Sequence, residues 1–332
     1  MSIFKNLAAF LLQQSHHAYF VSITAFLMIF STGCNSTTET TQPTETTETI
    51  QITEQNTSPA EIVTTIFPMY LFTKGVTGAE AEVELLVSPN TNIHNYQASP
   101  GNIRSVAEAE ILIKNGLGIE EFLEKLITNA GNAQLQQINA SQGIEVLEEE
   151  HDEDHSHAHS HAHEEGNPHV WLDPILAQQQ VENIRDGLIA INPDNAQTYE
   201  NNAAAYLQKM QQLHQQFETQ LSAVEGCRFI SFHNAYPYLA ERYNLQQIAV
   251  IELPEDSLSP QDIQQVINTA DQYNVKALLS ESGISDSRLQ QISNDTGLPI
   301  KTLDPIENGD LNPQYYFTAM EKNLEILTEV CQ

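Results

Sequence analysis

Four polar residues, three beyond short apolar runs and one just before a capped helix start at Asp173, stand where they could assemble a metal site. His233 comes directly after "CRFISF" (227–232) and Asp304 directly after "PIKTL" (299–303). His94 lies in "SPNTNIHNY", beyond "VELLVS" (83–88), and His169 lies in "NPHVWLDP". Neutral imidazole is a borderline-soft donor and the commonest metal ligand among side chains. Three imidazoles and one carboxylate have the types and number of a closed tetrahedral Zn2+ site. Four protein ligands leave no position for a substrate or an activated water. Such a site points to binding, and the chain is read as not an enzyme. A secreted metal-dependent hydrolase is the alternative of another class. It would need an open coordination position and a compact motif such as His-Glu-x-x-His, which the sequence lacks.

A second set of histidines is more conspicuous. Residues 148–165 hold His151, His155, His157, His159, His161 and His163 among glutamates and aspartates. In an extended chain alternate side chains project to one side, so neighbouring pairs could chelate an ion. Nothing apolar fixes that geometry, and ordering each residue costs about 1–2 kcal/mol. The tract is therefore expected to be a mobile loop with several weak, accessory sites. The acids favour the imidazolium, so tract binding should weaken first as the pH falls below ~6.5. Two readings stand: a collector or sensor feeding the defined site, or a solvated loop that binds metal incidentally.

These residues need a scaffold. From Pro59 onward, β-rich runs alternate with helical patterns, the signature of βαβ units. Candidate strands are 61–67, 83–88, 111–114 and 144–147, then 227–232, 248–251, 276–280 and 299–303. The predicted fold class is α/β, with two similar lobes, each a mainly parallel four-stranded sheet. Ligands in open α/β sheets bind beyond the carboxyl ends of strands, so the metal site is expected in the interlobe cleft. Between the strand sets, Asp173-Pro174 and Asn192-Pro193 read as helix starts. Tyr199, Ala203, Leu207, Met210, Leu213, Phe217 and Leu221 then recur at helical spacing. No proline or glycine interrupts 194–225, which predicts one long bridging helix that restrains hinge motion. His214 on this helix reads as a surface residue. Ser259-Pro260 marks a further helix start.

The predicted division is a signal peptide at 1–33, a disordered Thr/Glu-rich tether at 34–58 and an N-terminal α/β lobe at 59–193. The bridging helix at 194–225 and a C-terminal α/β lobe at 226–332 complete it. The apolar stretch "AYFVSITAFLMIF" (18–30) has the length of a signal-peptide core and is short for a membrane span. "STGC" resembles the lipobox of bacterial lipoproteins, with Cys34 the lipidated residue. Export to the periplasm or cell surface is expected, with membrane contact only through that lipid anchor. Cys227 and Cys331 could form one disulfide in an exported chain. Among the 332 residues, 44 acidic side chains outnumber 13 basic ones, for a net charge of −31. That balance argues against nucleic acid as a partner. No glycine-rich phosphate loop is present.

Five segments carry a family resemblance: "IVTTIFPMYLFTKGVTG", "IHNYQASPGNIRSVAEAEILIKNGLGIEEFL", "NPHVWLDP", "FISFHNAYPYLAERYNL" and "IKTLDP". In order and over residues 61–332, they resemble bacterial metal-ion ABC-transporter solute-binding proteins, in the zinc-uptake branch. The resemblance implies His94, His169 and His233 as the first three ligands and Asp304 as the carboxylate ligand. Manganese binders of the family generally place a glutamate at the third position, so His233 favours Zn2+ over the manganese alternative. Where the family often has a Gly-x-Asp-Pro-His turn before the first ligand, this chain has "NTNIH". Glu281, in "LLSESG", has a family counterpart near the site, which implies an acceptor orienting a ligating imidazole; a solvated loop glutamate is the alternative. The resemblance also implies the membrane permease of a zinc ABC transporter, with its cytoplasmic ATPase, as partner to a monomeric receptor. Adhesion is a secondary role for which the sequence offers no distinct element.

Overall fold

The computed structural model describes residues 62–89, 91–147, 166–231, 233–249, 260–281 and 287–332. Cys34, the leader, the tether and the histidine tract lie outside them. Two four-stranded parallel sheets are present. The first comprises β1 (Ile62–Thr64), β2 (Val83–Leu85), β3 (Ile111–Lys114) and β4 (Gln136–Asn139), in the order β2-β1-β3-β4. The second comprises β5 (Arg228–Ser231), β6 (Gln246–Ala249), β7 (Leu278–Glu281) and β8 (Ile300–Leu303), in the order β6-β5-β7-β8. The register pairs Ile62 with Val83 and with Ile111 in the first sheet. In the second it pairs Ile230 with Ile248 and with Leu278.

Alternation along the strands sorts side chains between two cores, as the period of two requires. Ile62, Ile111 and Ile113 enter the largest apolar cluster, whereas Val63 and Leu112 face a smaller one with Val106, Leu123 and Leu126. These last three come from α2 (Pro100–Glu108) and α3 (Leu123–Ala130). The second sheet repeats the division. Phe229 and Leu279 join the large cluster; Ile230 and Leu278 pack with Val266, Leu289 and Ile292, from α7 (Pro260–Tyr273) and α8 (Ser287–Thr296). The large cluster runs from Ile62 to Leu327 and so belongs to both lobes. Both faces of each sheet are covered, as parallel sheets require.

The long helix is α5 (Ala196–Leu221), 26 residues or about 39 Å. Short 3-10 turns at Pro193–Asn195 and Ser222–Val224 flank it. Its buried stripe is Tyr199, Ala203, Tyr206, Met210, Leu213, Phe217 and Leu221. It packs on α1 (Phe67–Thr77), α4 (Pro174–Ile191) and α9 (Tyr315–Cys331), drawn from both halves of the chain. Gly75 on α1 lets α5 approach: a Cβ there would stand 2.9 Å from the Tyr206 ring. A disulfide joins Cys227, just before β5, to Cys331 at the end of α9, with Cα atoms 5.6 Å apart. Closing a loop of about 100 residues stabilises by roughly 4–5 kcal/mol in the chain-entropy model. Among the described residues, no helix is long and apolar enough to cross a membrane.

Two expectations need correction. The fourth strand is Gln136–Asn139, not 144–147. It lies at a sheet edge with only Ile138 buried, so its glutamines carry no apolar signal. Ile144 and Leu147 pack with Val170 and Tyr238 instead, and the Leu147 N–H donates to the Tyr238 hydroxyl. Both helix starts are found: Asp173 caps α4 by accepting from the Ile175 N–H at 2.8 Å, and Asn192-Pro193 opens the 3-10 turn that leads into α5. His214 is not a plain surface residue: its Nδ1 lies 3.0 Å from the Tyr243 hydroxyl, and its side chain is 13% exposed.

Candidate metal centre

Every candidate side chain stands on a segment just beyond a strand or at a helix entrance. His94 sits on the connection after β2, where its own N–H donates to Asn92 Oδ1. His169 stands at the entrance of a 3-10 turn, Val170–Leu172, that leads into α4. His233 follows β5, separated from it by one residue. These three rings meet: their centroids are 4.6 Å (His169 to His233), 5.0 Å (His94 to His233) and 5.4 Å (His94 to His169) apart.

The fourth member is Glu307, on the connection after β8. Its Oε1 lies 3.7 Å from His94 Nε2 and 3.6 Å from His169 Nε2. One ligand atom from each of His94, His169, His233 and Glu307 falls within 4.8 Å of every other. Ligand atoms around a tetrahedral Zn2+ at 2.0–2.1 Å would stand roughly 3.3 Å apart, so a small inward movement would complete the shell. His169 Nε2 and Glu307 Oε1 are buried without a hydrogen-bond partner. Left so, such groups cost free energy; a cation between them would satisfy both.

Asp304 does not join this group. Its Oδ1 accepts from the Ile306 N–H at 2.8 Å, its Oδ2 accepts from the Tyr315 hydroxyl at 2.6 Å, and Asn323 pairs with its backbone N–H and carbonyl. The carboxylate is thus engaged in a local Asx-type turn, the habit of aspartate at the end of a strand. That turn carries Ile306 at a φ of 58° and sends the chain back to deliver Glu307. Burial raises the Asp304 pKa, the bonds from Tyr315 and Ile306 oppose the shift, and the Glu307 charge adds to it. Sequence reasoning took the first acid after the strand. The signal that separates the two acids is the turn-forming pair Asp304-Pro305, which occupies its own aspartate, with Glu307 three positions on.

Hydrogen bonds outside the ring cluster fix its orientation. His233 Nδ1 lies 2.5 Å from Glu281 Oε1, at the end of β7. A carboxylate accepting from Nδ1–H sets the tautomer with the lone pair on Nε2. His169 Nδ1 lies 3.0 Å from Asn167 Oδ1, and Asn167 Nδ2 donates to the Asn234 carbonyl across the cleft. Trp171 Nε1 donates to the Pro305 carbonyl, and the Tyr316 hydroxyl donates to the Trp171 carbonyl. The turn bearing His169 is therefore bonded to the connection bearing Glu307.

Burial pushes the His169 pKa down to about 3, against the attraction of Glu307. Burial alone would raise Glu307, but His233 and the other two imidazoles outweigh it and hold the carboxyl well below the usual range. A neutral imidazole and an ionised carboxylate are the protonation states that bind a metal.

The model of the family described as zinc-uptake complex component A, periplasmic, matches residues 62–330. The chain belongs to this family. It is 32% identical over 275 residues to a high-affinity zinc uptake system protein ZnuA of Bacillus subtilis, covering 81% of this chain and 86% of that one. It is also 32% identical to the zinc-binding lipoprotein AdcA of Streptococcus pneumoniae, of which it spans only 55%. The Zn(II)-bound ZnuA-like domain of pneumococcal AdcA superposes with a TM-score of 0.71 at 30% identity, covering 82% of this chain and 99% of that domain. The family consists of solute-binding receptors of ABC transporters, not of enzymes.

Proposed function

We propose that this protein is an extracytoplasmic receptor that binds Zn2+ and delivers it to an ABC importer. The carrying observation is the buried convergence of three imidazoles and one carboxylate within 4.8 Å. His94, His169, His233 and Glu307 hold the ion, and Glu281 keeps the His233 donor atom turned toward it. Asp304 acts one step back, by shaping the turn that presents Glu307. With four protein ligands the ion is held as cargo, and no position remains for a reacting molecule. Imidazole softness favours Zn2+ over Mn2+.

A membrane permease with its ATPase is the partner, and the receptor works as a monomer. Cys34 anchors it through lipid, and residues 148–165 act as a weak collector for the defined site. Metabolic labelling with a radioactive fatty acid tests the anchor: loss of label in Cys34→Ala supports it, and retention rejects it.

The deciding experiment is zinc stoichiometry and competition with Mn2+ on the wild type, on a 148–165 deletion and on His233→Ala. The deletion should keep the tightest site and His233→Ala should lose it. If the deletion removed that site, the cleft assignment would fall; if the deletion variant preferred Mn2+, the zinc assignment would fall.

A further inference from the structure

The N-terminal lobe buries a carboxylate that the metal centre does not touch. Glu120, 7% exposed, accepts at Oε1 from the Thr65 hydroxyl and the Asn115 N–H, both at 2.6 Å, and at Oε2 from the Gly116 N–H at 3.0 Å. Thr65 and Asn115 follow β1 and β3, the neighbours between which the strand order of this sheet reverses. Ligands of open α/β sheets gather at such points.

The two backbone bonds hold a turn in which Gly116, Leu117 and Gly118 all have positive φ, at 82°, 57° and 76°. Leu117 pays a steric penalty in that conformation, so the turn needs an external hold. The turn in turn aims the Asn115 side chain. Its Nδ2 donates to the Gly116 carbonyl at 2.9 Å and to the Pro168 carbonyl at 3.2 Å, while its Oδ1 accepts from Gln180 Nε2 at 2.8 Å. Pro168 is the residue before His169. One side chain and one peptide therefore connect Glu120 to a cleft imidazole.

We propose that Glu120, acting through Asn115, is a positioning residue that sets where His169 stands in the cleft. The proposal rests on the metal-centre reading above. The Thr65 bond is a branch of the same carboxylate that does not lead to His169, so it supplies an internal control. In Glu120→Gln an amide N–H replaces one acceptor oxygen and confronts a backbone N–H, so the turn shifts and Asn115 with it. Asn115→Ala keeps the three bonds to Glu120 but deletes those of the Asn115 side chain, the one to Pro168 among them. Thr65→Val removes the hydroxyl alone.

The test is a Co2+ titration of the full chain, following the intense visible bands of four-coordinate Co2+, with circular dichroism confirming that each variant is folded at the temperature used. Glu120→Gln and Asn115→Ala should each weaken the four-coordinate site about tenfold or more and alter its bands, the usual cost of losing an outer-shell partner. The double variant should be no weaker than the weaker single one. Thr65→Val should lower the melting temperature yet bind within about twofold of wild type. Wild-type bands and affinity in folded Glu120→Gln, additive losses in the double variant, or equal weakening by Thr65→Val would each overturn the proposal. If Glu120→Gln does not fold, the contrast between Asn115→Ala and Thr65→Val decides. A wild type without four-coordinate bands would instead sink the metal-centre reading itself, before any variant is compared.

Discussion

The two lobes share a topology and divide the chemistry. Their sheets have the same strand order, shifted by four. The N-terminal lobe offers His94 and His169, and amides steady both: Asn92 for the first, Asn167 for the second. The C-terminal lobe offers His233 and Glu307, with Glu281 against His233 Nδ1. One half is neutral and the other anionic. For a divalent ion held there, the two carboxylates of the C-terminal lobe would match its charge, so that half would supply the electrostatic compensation and one imidazole, and the other half the remaining two imidazoles. Placing both charges near one cation also limits the cost of burying an unbalanced ion.

Substitutions can break that division. Glu307→Gln removes a ligand charge from the anionic half and should weaken Zn2+ at least about a hundredfold, ~2.7 kcal/mol, in competition with a chromophoric chelator. A loss below tenfold would move the fourth ligand elsewhere. Glu281→Gln leaves all four ligands in place but weakens the acceptor on His233; a loss of about 10–100-fold is expected. Asn167→Ala, its counterpart in the neutral half, should cost less, and the reverse order would contradict the division.

The neutral half has a pH signature. Burial holds His169 at about 3, below the ~6.5 of an exposed imidazole. The unfolded chain then takes up the proton first. The His169 contribution to the stability of the metal-free protein is whole above pH ~6.5 and falls toward pH 3, by up to about 1.4 kcal/mol per unit. Urea unfolding of wild type and His169→Gln at pH 7.5 and 5.5 checks the sign: wild type should lose more stability than the variant on acidification, and a smaller loss would mean that His169 is buried as a cation. The smallest effect is assigned to Asp304→Asn, which keeps an acceptor for the Ile306 N–H. Zinc affinity within about threefold of wild type is expected, less than half of a tenfold step on the free-energy scale. A loss matching that of Glu307→Gln would restore Asp304 as a ligand.

The sequence made the paired α/β lobes and the long helix legible because apolar periodicity reports burial. Ile111, Leu112 and Ile113 are buried on both faces and read as a strand; Gln136–Asn139 lies at an edge, where glutamine pairs through its backbone and shows nothing. The three histidines that meet in the cleft were legible because each lies near a strand end or a helix start that the sequence marks. Glu307 was not, because a turn with positive φ at Ile306 decides which acid points inward, and that is a property of the backbone path. His214 was misread for a related reason: its partner Tyr243 is 29 residues away, beyond any local pattern.

The bond from the Trp171 indole to the Pro305 carbonyl has a bearing on protein engineering. It stitches the two halves together at the cleft itself, 134 positions apart in the chain. Recombining an N-terminal half from one relative with a C-terminal half from another, at a crossover inside α5, would keep every strand and helix intact. It would still mismatch this seam unless the segments around Trp171 and Pro305 came from the same parent. Modularity in this architecture therefore ends at the cleft, and a workable chimera is defined by its paired turns more than by its crossover point.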